Sequence, residues 1–501
     1  MKTTTSYRPY DGRPVGTVED TPPDVVRAVV EQAAQAAPAV AAVSPERRRT
    51  WLRAVADGLE SHAEELVALA DEETGLGAVR LTSELARTAG QLRFYGDVAA
   101  EGSYLGVTVD EATATSPRLV RVNQPVGPVA VFGASNFPFA FSVLGNDTAS
   151  ALAAGCPVVV KAHPAHVTLS LRLAQVAGQA LREAGAPDGT FALVTGRQAG
   201  TNLVRAEGIA AVAFTGSQAG GLALWRLANE RERVIPVYAE MGTVNPVVVT
   251  RAAASRIDDV ASGFVGSFTL GWGQFCTKPG LLLVPAGHDA ARIVGDALAQ
   301  AAPQPVMLTE EIAASVERGL PDLVTAGASL VRSVPGTGNG WGAPAAVLSA
   351  PISALRKGSR LLEECFGAVA VVVEYADDRE LRSALATLQG SLAGTVVTGD
   401  DTDPDAPRLV EALTRTVGRV TVNDWPTGVA YTWAQHHGGP WPATSNAAAT
   451  SVGAAALDRF VRPVTYQSAP DAWVPPAART DNPWNLPRRV DGRREGQRGG
   501  R

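Results

Sequence analysis

The sequence predicts an α/β protein with two open α/β domains and a small additional β element. Three observations carry that reading. First, five near-continuous apolar runs start at Val129: VAVFG (129–133), PVVVK (157–161), FALVTG (191–196), AAVAFTG (210–216) and VIPVYAE (234–240). They alternate with helical patterns at 140–154, 167–184, 199–206 and 218–231. Strands that are apolar throughout, rather than on alternate residues, belong to a parallel sheet covered on both faces. Second, further strand signals at 245–250, 281–284, 369–374, 394–398 and 418–422 build another unit of the same kind. Third, VTVDEATATSPRLVRV (107–122) reads as a hairpin turning at Ser116-Pro117, with strands too polar for a core. It either pairs with another subunit or lies on the surface as a plain hairpin.

A chain of 501 residues exceeds one hydrophobic core and suggests two or three domains. The expected divisions are 1–106 with 126–242, then 243–445, then a β element of 107–125 with 446–475, and a tail from 476 to 501. At 46% hydrophobic and 19% charged residues, the composition is that of a soluble globular protein. No apolar run reaches the ~20 residues that span a bilayer, and the opening MKTTTSYRPYDGRPVG has no signal-peptide core. A net charge of −6 gives no reason to expect nucleic acid or an anionic membrane as partner. Cys156, Cys276 and Cys365 are far apart and odd in number, which excludes a disulfide framework and points to a reducing cytoplasm. The Arg- and Gly-rich end, from Arg488 to Arg501, reads as frayed and solvated.

Along the chain, the first hundred residues read as helices. Ser44-Pro45-Glu46 has the form of an N-cap with proline at the first helical position. Ser61 to Glu64 fits a capping box, and a third pattern runs from Val79 to Ala100. A helical pattern from Arg256 to Leu270 leads into Gly271–Gly280 and then the strand from Leu281. The stretch from Trp425 to Asn446 is loop-like, followed by a short helix (451–459) and a last strand, Val461 to Gln467.

Chemistry-bearing residues fall at the junctions of these elements. Cys276 lies between glycines at a helix-to-strand junction, where a thiol can be reached and backbone donors are near. Taken alone it fits a small buried hydrophobe better. Asn136 follows a strand in GASNFP; its amide can donate to a developing oxyanion or bond the local loop. Glu240, at the junction of the two units, can act as a general base for water or stand as an ordinary paired glutamate. Gly216-Ser217 through Gly221 opens a helix after a strand, as an anion-binding turn or a plain tight turn does. Glu364 and Phe366 stand in EECFG (363–367). The segments SNFP (135–138), KAHPAH (161–166) and FTGSQAGG (214–221) all follow predicted strands, along the one sheet edge where a dinucleotide would lie. No metal site is expected, and none of the six histidines stands in a recognisable triad motif.

SNFP, VVVKAHPAH, FTGS, AEMG, GQFCTKPG and EECFG, in this order and spacing, resemble the aldehyde dehydrogenase superfamily from residue 10 to residue 475. The resemblance implies a Rossmann-like cofactor domain, a catalytic domain and a β element that joins subunits into a homodimer or homotetramer. It implies Cys276 as nucleophile, Glu240 as base and Asn136 as the oxyanion amide. It also implies that Lys161 and Glu364 hold the ribose hydroxyls, that Gly216, Ser217 and Gly221 form the pyrophosphate turn, and that Phe366 stands beside the nicotinamide. NAD-preferring relatives carry a glutamate where this chain has Pro164. That proline, with Lys161, His163 and Arg197 nearby, implies preference for NADP, with NAD possible. Within the superfamily, NFPFAFS, VYAEMGTVNP, HHGGPWPATSN and RFVRPVTYQ are most similar to the group that oxidises α-ketoglutarate semialdehyde (2,5-dioxopentanoate). Trp272, Trp425 and AYTWAQHHGG (430–439) depart from that group's usual form on segments expected to line the substrate mouth. A cofactor-independent cysteine esterase or amidase is the alternative from another class.

Overall fold

The computed structural model describes residues 2–495. The chain opens not on a helix but on an antiparallel hairpin, β1 (Thr3–Tyr7) and β2 (Pro14–Glu19). Four helices follow: α1 (Pro23–Ala42), α2 (Pro45–Ser61), α3 (Ala63–Thr74) and α4 (Ala78–Glu101). Ser44 caps α2 as its sequence suggests, its oxygen accepting from the Arg47 amide at 3.3 Å. The capping box at Ser61 does not form. Ser61 is the last residue of α2 and donates back to the Gly58 carbonyl, so α3 starts without a side-chain cap.

Strands β3 (Thr108–Asp110) and β4 (Leu119–Pro125) form the expected hairpin. They are not excluded from the core, however: Val109, Val120 and Val122 are buried in the largest hydrophobic cluster, and only the other face is polar. Alternation, not mean polarity, was the informative signal there.

The first parallel sheet is β5 (Val129–Phe132), β6 (Val158–Lys161), β7 (Phe191–Val194), β8 (Ala211–Gly216) and β9 (Val237–Met241), in the spatial order β7-β6-β5-β8-β9. Between them run α5 (Asn146–Ala154), α6 (Val167–Glu183), α7 (Arg197–Arg205) and α8 (Gln218–Asn229). Alternate residues feed opposite cores: Val129, Val131, Val158 and Val160 on one side, Ala130, Phe132 and Val159 on the other. Each such valine buried contributes about 1.5–3 kcal/mol, so both faces specify the register. Helix α5 begins six residues later than its pattern suggests. Residues 133–145 instead form a loop held by the buried Glu84, whose Oε1 accepts from the amides of Phe139 (2.9 Å) and Ala140 (3.0 Å). A side chain at Gly145 would meet the Ala140 carbonyl oxygen at 2.4 Å, so the loop closes only over glycine.

The second sheet has seven strands: β10 (Pro246–Val249), β11 (Leu281–Pro285), β12 (Ser329–Val334), β13 (Ala345–Ser349), β14 (Val369–Tyr375), β15 (Ser391–Val397) and β16 (Val417–Val422). The order is β12-β13-β14-β11-β10-β15-β16, with α9 (Ile257–Thr269), α10 (Ala290–Ala301), α11 (Glu310–Thr325), α12 (Asp378–Thr387) and α13 (Ala406–Thr414) as connections. The sequence reading lacks β12 and β13. β12 is a largely exposed antiparallel edge strand, so it has neither a continuous apolar run nor a clean period.

Strand β17 (Val461–Gln467) falls where it was expected and pairs with β4. The tail is not frayed as far as it is described: β18 (Arg488–Val490) pairs in parallel with β3 and turns back into β19 (Arg493–Glu495). Leu486 is buried beside Gly102, and this anchor holds the strands to the body. Residues 496–501 of the expected tail lie outside the described residues. Among the described residues no helix is long and apolar enough to cross a membrane.

Candidate active site

Parallel strands all deliver their carboxyl ends to one edge of the sheet, and the site is built there. The loop after β5 carries Asn136, β6 ends at Lys161, β8 ends at Gly216, and Glu240 lies on β9. The second domain brings Cys276, on the loop between α9 and β11, and Glu364 with Phe366, just before β14. A cavity of about 740 Å³ between the two domains is lined by Asn136, His163, Pro164, Gly216, Ser217, Glu240, Cys276, Glu364 and Phe366. Lys161, Arg197 and Gly221 are not on its wall: Gly221 packs behind the turn against Met241, and Arg197 is exposed at the start of α7.

The cysteine loop is held from several sides. Gly271, Trp272 and Gly273 take positive φ in succession (56°, 61° and 73°), which folds the chain back on itself. A Cβ at Gly273 would stand 2.2 Å from the Gly367 backbone, so this turn and the Glu364–Phe366 segment can meet only through glycine. The Asn245 amide donates to the carbonyls of Cys276 (2.8 Å) and Lys278 (3.0 Å), while its oxygen accepts from the Ala393 amide at 3.0 Å. The buried Lys278 ammonium donates to the carbonyls of Cys365 and Val369, each at 2.9 Å, tying the two loops together. Asn136 donates to the Gln274 carbonyl at 2.8 Å, and its own carbonyl accepts from Arg80 at 2.7 Å.

Around Cys276 the electrostatics are adverse to a thiolate. Burial, joined by the charges of Glu240 and Glu364 and opposed by Arg419, pushes its thiol well above the ordinary value. Burial likewise pushes Glu364 up to about 7, with Lys278 opposing and Glu240 reinforcing. Glu240 is 3% exposed, and beyond its contacts with Cys276 and one histidine its carboxylate oxygens have no hydrogen-bond partner among the described residues. One Glu364 oxygen is also without a partner.

One side chain meets both Cys276 and Glu240; it stands in the HHGGPWPATSN segment, but the sequence assigned it no role. His437 Nε2 lies 3.5 Å from the Cys276 sulfur and 3.2 Å from Glu240 Oε2. Its backbone is pinned: the His437 amide donates to Thr450 Oγ1 at 2.7 Å and its carbonyl accepts from the Ser451 amide at 2.9 Å. The same ring nitrogen faces both groups. A hydrolytic Cys-His-acid triad uses one nitrogen for each, so this is not that arrangement. Arg80, Arg87 and Arg419 were also missed. Arg80 lies over the rings of Phe137 and Phe275, and Arg87 over that of Phe141, all three rings being near the cysteine loop. Both come from α4, far away in sequence, and no local pattern marks them.

At the other end of the cleft, burial holds Lys161 down to about 8, with Asp20 raising it and Arg197 lowering it. Asp20 packs against Gly196 and was not foreseen. It puts a carboxylate into a region expected to hold only cations. Burial, with His166 and Lys161, holds His163 well below its usual range, and its Nδ1 accepts from the Ala165 amide at 3.1 Å. Trp272 and Trp425 pack into the second domain, Trp425 against Gly263, and neither lines the cavity.

A helix N-terminus at the ends of parallel strands, facing a half-buried cysteine and a buried carboxylate across a cleft, defines a two-domain enzyme with a cysteine-centred site. More specifically, the chain belongs to the aldehyde dehydrogenase family, whose pattern it matches over residues 1–441. It is 44% identical over 467 residues to alpha-ketoglutaric semialdehyde dehydrogenase 2 of Azospirillum brasilense, covering 89% of this chain and 87% of the relative. It is 39% identical over 478 residues to the alpha-ketoglutaric semialdehyde dehydrogenase of Acinetobacter baylyi, covering 92% and 91%. The crystal structure of an NAD-dependent aldehyde dehydrogenase from Sinorhizobium meliloti shares the fold with a TM-score of 0.79 at 24% identity, covering 94% of this chain and 92% of that one.

Proposed function

We propose that this enzyme oxidises 2,5-dioxopentanoate to 2-oxoglutarate with NADP or NAD. The observation that carries the reading is the meeting of Cys276, Glu240 and Asn136 on one cavity with the Ser217 turn. The two relatives above support the choice of aldehyde. Cys276 attacks the aldehyde carbon as thiolate. Its proton passes to His437 Nε2, at 3.5 Å from the sulfur. The oxyanion accepts from the Asn136 amide, which has a second N–H beyond the one given to Gln274, and from the Cys276 backbone amide. The dinucleotide, when bound, supplies the acceptor for the hydride that leaves the aldehyde carbon. Glu240, buried and touching only the cysteine and His437 among polar side chains, takes a proton from the water that hydrolyses the thioester, which frees the carboxylate product and restores the cysteine.

The residues present fit a dinucleotide. The unpartnered Glu364 oxygen, on the cavity wall, can accept a ribose hydroxyl. Gly216 and Ser217 open α8 toward the pyrophosphate, and Phe366 stands on the cavity wall for the nicotinamide. Preference for NADP rests on Lys161 and Arg197 as cations near Pro164, with neutral His163 as a further donor through Nε2. Asp20 opposes it, so the preference is modest.

Arg87 and Arg419, whose charges act on Cys276, support an aldehyde with a distal carboxylate. The β element is proposed to join subunits, and the three unpaired cysteines suit a reducing cytoplasm. Dinucleotide reduction, followed in the near ultraviolet with 2,5-dioxopentanoate and with an uncharged aldehyde of equal length, tests the reading. The expected result is a higher kcat/KM for 2,5-dioxopentanoate, lost mainly through KM in Arg87→Met. Equal values for both aldehydes would overturn the substrate, and no reduction of either dinucleotide would overturn the reaction.

A further inference from the structure

Cys276, His437 and Glu240 come from three distant segments, yet their ligand atoms all lie within 4.8 Å of one another. The sulfur-to-nitrogen separation is 3.5 Å and the nitrogen-to-oxygen separation 3.2 Å. A tetrahedral zinc ion with bonds of about 2.3 Å to sulfur and about 2.0 Å to nitrogen and oxygen places those pairs about 3.5 Å and about 3.3 Å apart. Two of the three pairs therefore already stand at coordination separations, and the third, sulfur to carboxylate, lies within 4.8 Å. A second observation points the same way: Glu240 is 3% exposed, and apart from the two other members of the cluster, His437 and Cys276, no side chain or backbone group among the described residues satisfies its oxygens. A desolvated carboxylate of this kind is costly unless a cation or water satisfies it.

We propose that Cys276, His437 and Glu240 form an inhibitory binding site for a borderline-soft divalent cation, zinc above all. On binding, the Cys276 thiol loses its proton to solvent as the sulfur–zinc bond forms. His437 ligates through Nε2 with its proton on Nδ1, and Glu240 gives one oxygen. No redox change occurs, and thiolate plus carboxylate neutralise the ion. The fourth position faces the cavity, as it does in sites with three protein ligands. Magnesium and calcium, which require six or more oxygen ligands, do not fit this set. Zinc and aldehyde then exclude each other, because both need the same sulfur. The inhibition rests on Cys276 being the nucleophile of the proposed reaction; metal binding does not.

The test is titration of the metal-free enzyme with zinc and, separately, with cobalt(II). Zinc should inhibit at about one equivalent per chain and chelator should restore the rate. Relative to its own zinc-free rate, His437→Gln should need at least about tenfold more zinc. Cobalt should give a thiolate-to-metal band in the near ultraviolet and intense four-coordinate visible bands, both absent from Cys276→Ala. The cobalt spectrum needs no turnover, so it reports the metal site even if no aldehyde is oxidised. Equal zinc sensitivity of His437→Gln and wild type would overturn the site, since the thiol alone would then be responsible. Absence of the cobalt bands in wild type would also overturn it.

Discussion

At Cys276, a raised thiol pKa and a nearby imidazole make separable demands. Cys276→Ala should lower aldehyde oxidation by at least about 10³-fold while dinucleotide binding persists. Glu240→Gln should release about one equivalent of reduced dinucleotide per site and then stall at the thioester, as a rapid-mixing experiment would show; turnover at the wild-type rate would exclude Glu240 as the base. Since burial and the two carboxylates hold the thiol protonated at neutral pH, its alkylation by iodoacetamide should accelerate about tenfold per pH unit on the alkaline side of neutrality. At the cofactor end the sign is opposite. Lys161 is cationic below about 8 and neutral above it, so KM for NADP should rise more than KM for NAD as pH passes from 7 to 9. Asp20→Asn, which removes the opposing carboxylate, should raise kcat/KM for NADP by about three- to tenfold. No change would show that Asp20 is screened from the phosphate.

Two glycines near the end of α9 illustrate how local elements position the cysteine. Gly266 is on the exposed face of the helix, with nothing within 4 Å of an added Cβ. Gly266→Ala should stabilise the protein by about 0.5–1 kcal/mol through the unfolded chain. Gly273 has φ 73°, and a Cβ added there would stand 2.2 Å from the Gly367 backbone. Gly273→Ala should cost at least about 1–3 kcal/mol in strain and displace the Cys276 loop. Thermal melts compare the two, and kcat should fall only in Gly273→Ala. The loop carrying His437 is placed by the same device, since a Cβ at Gly418 on β16 would meet the Gly438 carbonyl oxygen at 2.0 Å.

The assembled molecule presents a five-stranded sheet in the order β17-β4-β3-β18-β19, so the last strands of the chain cover one edge while β17 forms the other. An open strand edge is a template for pairing, and in this protein it is expected to meet another subunit. Light scattering at micromolar concentration should give a dimer or tetramer; a monomer would remove the oligomerisation role from β4 and β17. Deleting 476–495 should lower the melting temperature, because it removes Leu486, Ala477 and Ala478 from the main core.

Periodicity and motif order in the sequence determined the first parallel sheet, five of the seven strands of the second, and the candidacy of Cys276, Glu240 and Asn136. Those features are local: an apolar run long enough to be a covered strand, or a residue fixed to a strand end, states its role in a few neighbouring positions. The exposed edge strand β12, the short hairpin of β1 and β2, and the ordered strands β18 and β19 lacked such a signal, because they are short or largely exposed, and β18 is held by β3, far away in the chain. The site divided in the same way. Strand ends could be read as facing one cleft, but the approach of His437 to Cys276, of Asp20 to Lys161, and of Arg87 to Phe141 each joins segments separated by many elements. The burial of Trp272 and Trp425 away from the cavity is of this kind too. Only tertiary structure decided these contacts, because side-chain distance and desolvation arise from how packed elements meet, and no residue's neighbours in sequence encode that.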